Sequence, residues 1–303
     1  MDTNWNTSWH DGERALQARA GMAERMAEIG PRAIRPAMPD QHRSFFTQLP
    51  FILAGYEDKG GEVWASLLSG SPGFVTSPDS KTLIVAASPV EGDPLAAALK
   101  AGLPMGMLGI ELPTRRRNRA NGRVMAHGAG GFTVLVEESF GNCPKYIERR
   151  DYLALLPEAP VKREPLAVLD ASAQRLISSA TTFFVASSAG GAALPDVSHR
   201  GGPPGFIRLE PDGVLTIPDY AGNFFFNTLG NILLNPRAGL LFPDFQTGDI
   251  LQLTGAAWLV ENGAATPLPG AKSLWRFRMT QGHWLRGALP LRLAPGEASP
   301  FWP

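Results

Sequence analysis

The sequence predicts a mainly β protein in which one small barrel module with short helices occurs twice in tandem. Three observations carry that prediction. Gly and Pro are abundant, at 33 and 27 residues, which suits many short strands joined by tight turns. A hydrophobic share of 44% over 303 residues is enough for two modest cores. Finally, segments recur at one spacing: Phe51-Ile-Leu-Ala54 matches Phe183-Phe-Val-Ala186, and Gly70-Ser-Pro-Gly-Phe-Val75 matches Gly202-Pro-Pro-Gly-Phe-Ile207, both at a shift of 132. The same shift puts Leu83 on Leu215 and Leu108 on Leu240. A recurring Pro-Gly turn explains one such match but not a shared spacing.

Residues 1–39 form an N-terminal helical segment, in which 13–29 place Leu16, Ala20, Ala23, Met26 and Ala27 on one stripe of a helix expected to pack on a barrel. Copy one spans 40–155 and copy two 169–303, separated at 156–168 by a segment whose prolines and mixed charge mark a stiff linker. In each copy a short helix (41–48 and 171–179) leads into an apolar strand, a Gly-rich turn, a second strand, the Pro-Gly-Phe turn and a third strand near Leu83 or Leu215. A helical crossover follows at 95–100 and 224–234, then strands at 105–111 and 237–242. The remaining strands fall at 123–126 and 132–137 in copy one, and at 250–260 and 275–279 in copy two. Six or so strands with one inserted helix suggest a small closed barrel.

Lys plus Arg and Asp plus Glu balance at 28 each, so no net field favours nucleic acid or an anionic membrane. The single Cys143 permits no internal disulfide, and the N-terminus shows no basic-then-apolar leader, so a reducing, cytoplasmic setting is expected. No run of about eighteen apolar residues predicts a membrane span. His10, His42, His127 and His283 are scattered without ligand spacing, so no metal is expected. The Arg115-Arg-Arg-Asn-Arg119 run reads as a solvated hairpin. Cys143, next to Lys145, reads either as an inert buried thiol or as an activated one.

The copies differ most around their second strands. Ser66 and Ser198 correspond, but His199 and Arg200 fall on Leu67 and Leu68. An imidazole, a guanidinium fork and the backbone of Gly201 and Gly202 together suit an anion. The turn at 219–223, with Asp219, Tyr220 and Asn223, leads into a helix that Asn223 is expected to cap, its first-turn amides facing that anion. Asn227, Thr228 and Asn231 recur at helical spacing, and such polar groups among Phe and Leu want partners. Residues 86–100 of copy one have lost all of them.

These motifs, with Asn235-Pro-Arg237 and Phe140-Gly-Asn-Cys-Pro-Lys-Tyr-Ile147, resemble the pyridoxamine 5′-phosphate oxidase-like, flavin-binding split-barrel family. The resemblance implies two six-stranded split barrels forming a pseudo-dimer within one chain, with FMN in a groove between them; FAD or a deazaflavin also fits. It places the cofactor against Ser198, His199, Arg200, Gly201, Gly202, Asp219, Tyr220, Asn223, Asn227, Thr228 and Asn231, with Trp64, Ser66 and Lys145 closing the groove from copy one. The oxidase carries an arginine at Ser198 and an Arg-Lys pair near Asn227 and Thr228, so either a lower phosphate affinity or substitution by Arg200 is expected. The oxidase's substrate-binding Arg and His have no counterpart, and vitamin B6 oxidation does not follow. The expectation is an FMN-dependent oxidoreductase acting on a small molecule, with no catalytic side chain identified. The alternatives are a non-catalytic flavin or tetrapyrrole carrier, and a scaffold. Either a monomeric pseudo-dimer or a homodimer is compatible, with one main site per chain, in copy two.

Overall fold

The computed structural model describes residues 8–157, 159–261 and 263–303; residues 1–7 of the N-terminal segment and Glu158 of the expected linker lie outside them. The single helix expected at 13–29 is two, α1 (Asp11–Arg19) and α2 (Ala23–Ala33), because Gly21 turns the chain at φ +67°. His10 caps α1: its ring accepts from Gly12 N while Glu13 reaches back to His10 N.

Copy one opens with α3 (Asp40–Thr47) and continues through β1 (Phe51–Glu57), β2 (Val63–Ser69), β3 (Val75–Thr76), β4 (Thr82–Val85), α4 (Pro94–Ala98), β5 (Pro104–Glu111), β6 (Arg116–Gly128) and β7 (Gly131–Gly141). β8 (Tyr152–Leu155) ends the range expected for copy one, and the expected linker supplies a strand of its own, β9 (Lys162–Leu166). Copy two follows with α5 (Ala171–Ser179), β10 (Thr182–Ser187), β11 (Asp196–Gly201), β12 (Arg208–Leu209), β13 (Leu215–Asp219), α6 (Asn227–Leu234), β14 (Arg237–Pro243), β15 (Ile250–Leu259), β16 (Ser273–Arg286) and β17 (Leu291–Leu293). β9 pairs with β16 and β8 with β17, so this connection is stitched onto copy two instead of hanging as a spacer.

The two main sheets run β2-β1-β5-β6-β7-β4-β3 and β11-β10-β14-β15-β16-β13-β12, the same path strand for strand, with all pairs antiparallel. That identity is the duplication in three dimensions. β2 and β3 are not bonded to each other, nor are β11 and β12, so each unit is a split barrel and not the closed one expected from strand count.

The spacing of 132 is not uniform in the fold. Ile52 pairs with Leu68 and Phe183 with Arg200, which puts Ile52 on Phe183, a shift of 131 for β1, when β2 keeps 132. Gly55 pairs with Gly106 and Ala186 with Gly239, a shift of 133 for β5. Side-chain direction explains the slips: Ile52 and Phe183 each fill their own barrel, whereas Leu53 and Phe184 both enter the core between barrels. A one-residue slip reverses every face, so structural equivalence follows the faces over the letters.

Each barrel has its own apolar core, and a third core joins them through Leu53, Val63 and Leu108 of copy one and Phe184, Val197 and Leu241 of copy two. Backbones nearly touch there. A Cβ on Gly106 would lie 2.3 Å from the Pro195 carbonyl oxygen, and one on Gly239 2.5 Å from that of Val63. Helix α1 lies on α6 and not on a sheet, at a crossing where a Cβ on Gly12 would stand 2.1 Å from the Gly230 oxygen. Among the described residues no helix is long and apolar enough to cross a membrane.

Candidate functional site

A cavity of about 650 Å³ opens where β11, the 219–226 loop, α6, α1, β6 and the 142–146 loop meet. Ser198, His199, Arg200, Gly201, Asp219, Tyr220, Asn223, Asn227, Thr228 and Lys145 line it, as placed from the sequence. Four expected residues stand elsewhere. Gly202 carries the turn under Phe206, where a Cβ would lie 2.6 Å from that ring. Asn231 is buried behind the cavity, donating to Ser187 and Asp196. Trp64 and Ser66 belong to a separate cluster in copy one. Asn223 does not cap α6, whose N-cap is Phe226; it accepts from Phe225 N and shapes the preceding loop instead.

The sequence reading missed the site's strongest charges. Arg117 and Arg119, expected on a solvated hairpin, lie on β6 of copy one and reach into the copy-two cavity. Their i, i+2 spacing puts them on one face of a strand, and that alternation is the signal that pointed inwards. Arg119 donates to Asp196 at 2.6 Å and to Ser198 Oγ at 2.5 Å, and Ser198 sits 2.8 Å from Thr228 Oγ1. Arg200 pairs with Asp219. Arg117 has no carboxylate within ion-pair distance among the described residues; it donates from Nε to the Cys143 carbonyl at 2.9 Å and from Nη1 towards the His199 carbonyl at 3.4 Å. Burial, then Arg119 and Arg200, push its pKa down to about 9, a measure of how poorly its charge is met. Burial and the same guanidinium cluster hold His199 well below the usual imidazole range, so its ring is neutral.

Three further N–H groups in this wall are buried without a partner: Arg119 Nε, Arg200 Nε and Asn142 Nδ2. All are donors. The lining is also aromatic, with the Tyr146 and Tyr220 rings 4.9 Å apart and Phe206, Phe224 and Phe226 among its residues. Tyr146, Phe224 and Phe226 hold φ of +67°, +64° and +59°, left-handed backbone that such residues adopt only when surroundings impose it. Cys143 is half-buried in the same wall, and Lys145 lies over the Phe301 ring at 5.4 Å.

The equivalent place in copy one is full. Gln252 of β15 takes the position of Arg119, since Leu108 pairs with Arg119 and Leu241 with Gln252. It donates to Asp93 at 3.1 Å and the Ala65 carbonyl at 2.8 Å, and contacts His283 Nε2 at 2.8 Å. Ser66 donates to Asp93 at 2.6 Å, and the Trp64 ring covers His283 at 5.4 Å. Every one of these side chains is buried.

No family model matches the sequence, and no curated protein matches it. Solved structures do. A single-substitution variant of HupZ from Group A Streptococcus matches at 16% identity and a TM-score of 0.32, over 39% of this chain and 100% of that one. A protein related to general stress protein 26, of the pyridoxinephosphate oxidase family, from Clostridium acetobutylicum matches at 15% identity and a TM-score of 0.28, over 41% and 91%. A FAD-binding protein from Mesorhizobium loti matches at 11% identity and a TM-score of 0.29, over 44% and 99%. Each of these matches covers about two fifths of this chain and nearly all of the other.

Proposed function

We propose that the cavity binds a flavin of the FMN kind and that the protein is an oxidoreductase acting on a small molecule. One observation carries the reading: Arg117, Arg119, Arg200 and Asn142 line one aromatic-walled cavity, and among the described residues Arg117 has no carboxylate within ion-pair distance. Buried donors without partners are costly, by about 1–3 kcal/mol each, so this arrangement calls for an acceptor-rich anion. A flavin nucleotide offers phosphate oxygens, ring carbonyls and ring nitrogens, together with a flat face for Tyr and Phe. The volume suits it, since ligand cavities run to about 300–1,000 Å³.

The residues fit the group in kind. Arg117, Arg119, Arg200 and Asn142 would donate to it, with Ser198 and Thr228 adding hydroxyls and Tyr146, Tyr220, Phe224 and Phe226 excluding water. When bound, a flavin supplies hydride and electron transfer, so the chain need only orient reactants and keep the site dry. A neutral His199 keeps further positive charge out of an already cationic wall. Arg117 and Arg119 come from copy one, so both copies would hold one ligand.

The visible spectrum of the purified protein, followed by FMN titration read by flavin fluorescence, tests this. Saturable quenching at micromolar FMN is expected, and its absence sinks the reading. Titrations with FAD and a deazaflavin rank the flavins. A bound flavin that neither reductants nor oxygen turn over makes the protein a carrier.

A further inference from the structure

We propose that helix α1 is a removable wall of the ligand cavity, seated on α6 through the buried Glu13 carboxyl, so that the cavity opens more readily as pH rises. It rests on the flavin reading only for the identity of the ligand. Leu16, Arg19 and Ala20 of α1 form one side of the cavity, so ligand and helix share a boundary. The same face of α1, one turn nearer its N-terminus, presses backbone to backbone on α6 through Gly12 and Gly230, with Gln17 Nε2 3.5 Å from the Phe225 carbonyl.

Glu13 sits in that seam, 3% exposed, accepting from Asn227 Nδ2 at 2.5 Å and from His10 N at 3.0 Å. The groups facing it are mostly acidic. Asp196 approaches from β11 and Glu138 from β7, while Arg119 of β6 already pairs with Asp196. On α1 itself, His10 is kept neutral by burial, and Asp11 and Arg14 pair with each other at the surface. A charged Glu13 would therefore stand beside Asp196, answered by two N–H donors and by the His10 ring, whose Nε2 lies 3.6 Å away but whose charge burial disfavours.

Burial first, then Asp196, raises the Glu13 pKa to about 8 from an ordinary 4.5. A carboxyl whose pKa is raised by docking stabilises the docked helix fully below its ordinary pKa, and that contribution is lost as pH climbs to about 8. Glu138, raised to about 7 in the same chamber, acts in the same direction where opening wets it. His10 acts oppositely, because its lowered pKa costs docking only below about its ordinary 6.5. Between pH 6.5 and 8 the carboxyls dominate, and release of one proton multiplies opening about tenfold per pH unit.

Amide hydrogen exchange of residues 11–19 in the full chain, corrected for intrinsic rates, reads that opening directly. In the wild type it should rise about tenfold per unit from pH 6.5 to 8 and level off above. Glu13→Gln keeps the shape and removes the charge, so its profile should lose the rise between pH 7 and 8, with α1 better protected than wild type at pH 8. A flat wild-type profile, or a Glu13→Gln profile as steep as wild type, overturns the gate. Saturating FMN should slow exchange of α1 at every pH; FMN that binds without doing so overturns the wall. If FMN fails to bind at all, the flavin reading falls, while the wild-type pH profile still decides the gate.

Discussion

Arg117 is a charge the apoprotein would be better without. Burial and two neighbouring guanidiniums disfavour it, and only backbone carbonyls and the neutral His199 ring answer it. Arg117→Met should therefore leave the ligand-free protein as stable or more so, because it removes an unmet charge and keeps the volume. The same change should weaken FMN by about 1.5–3 kcal/mol, the worth of a hydrogen bond to a charged group, or roughly ten- to a hundredfold. Melting temperature and fluorescence titration measure the two signs separately, and a variant that loses stability without losing affinity contradicts the assignment. His283 makes the opposite case. Burial pushes its pKa down to about 4 from 6.5, so its neutral ring stabilises the fold above pH 6.5, and that contribution is lost as pH falls to about 4. His283→Gln should accordingly flatten the fall in denaturant midpoint over that range. The His199-Arg200-Gly-Gly motif was legible because its parts are adjacent in sequence. Arg117 and Arg119 were not, because the strand that carries them belongs to the other copy and their partners lie about 80 positions further on.

Elements were legible where periodicity was local. α5 falls at the expected 171–179, and the Pro-Gly-Phe turns mark both copies. β6 and β16 run well past their expected ends, because the added residues pair with neighbouring strands and carry polar side chains that no apolar run announces. The 156–168 segment looked like a linker because prolines and charge suit a spacer, yet Lys162–Leu166 has a sheet edge within reach and pairs with β16. Strand pairing also sets which glycines matter. Gly106→Ala would drive a methyl to 2.3 Å from the Pro195 oxygen, a backbone atom that cannot step aside without parting the two barrels. A cost of about 1–3 kcal/mol is expected from such overpacking. Gly128→Ala, at the tip of β6 with nothing within 4 Å, should stay within about 0.5 kcal/mol of wild type. Urea midpoints of the two variants test the contrast, and equal midpoints would show that the barrels do not need their close approach.

At the scale of the molecule, duplication has divided the labour between two equivalent places. One holds donors around a cavity; the other holds Gln252, Asp93, Ser66, Trp64 and His283 packed against each other, with Gln252 and Asp93 tying Ser66 and His283 together by hydrogen bonds. A flavin entering copy one would have to displace that cluster, so titration followed by absorbance should saturate at one flavin per chain. Two per chain would refute the asymmetry. The same geometry predicts what division of the chain does. A fragment of residues 169–303 keeps Ser198, His199, Arg200 and Thr228 but loses Arg117, Arg119, Asn142 and the α1 wall, and it exposes the apolar core that Phe184, Val197 and Leu241 share with copy one. It should bind no flavin even where it folds. The complementary fragment, residues 1–168, supplies both arginines and the missing half of that core, and mixing the two should restore one site per pair. Restoration that survives Arg117→Met in the first fragment would mean that copy one acts only as a packing partner, whereas its loss would place the ligand's anchor across the boundary between the copies.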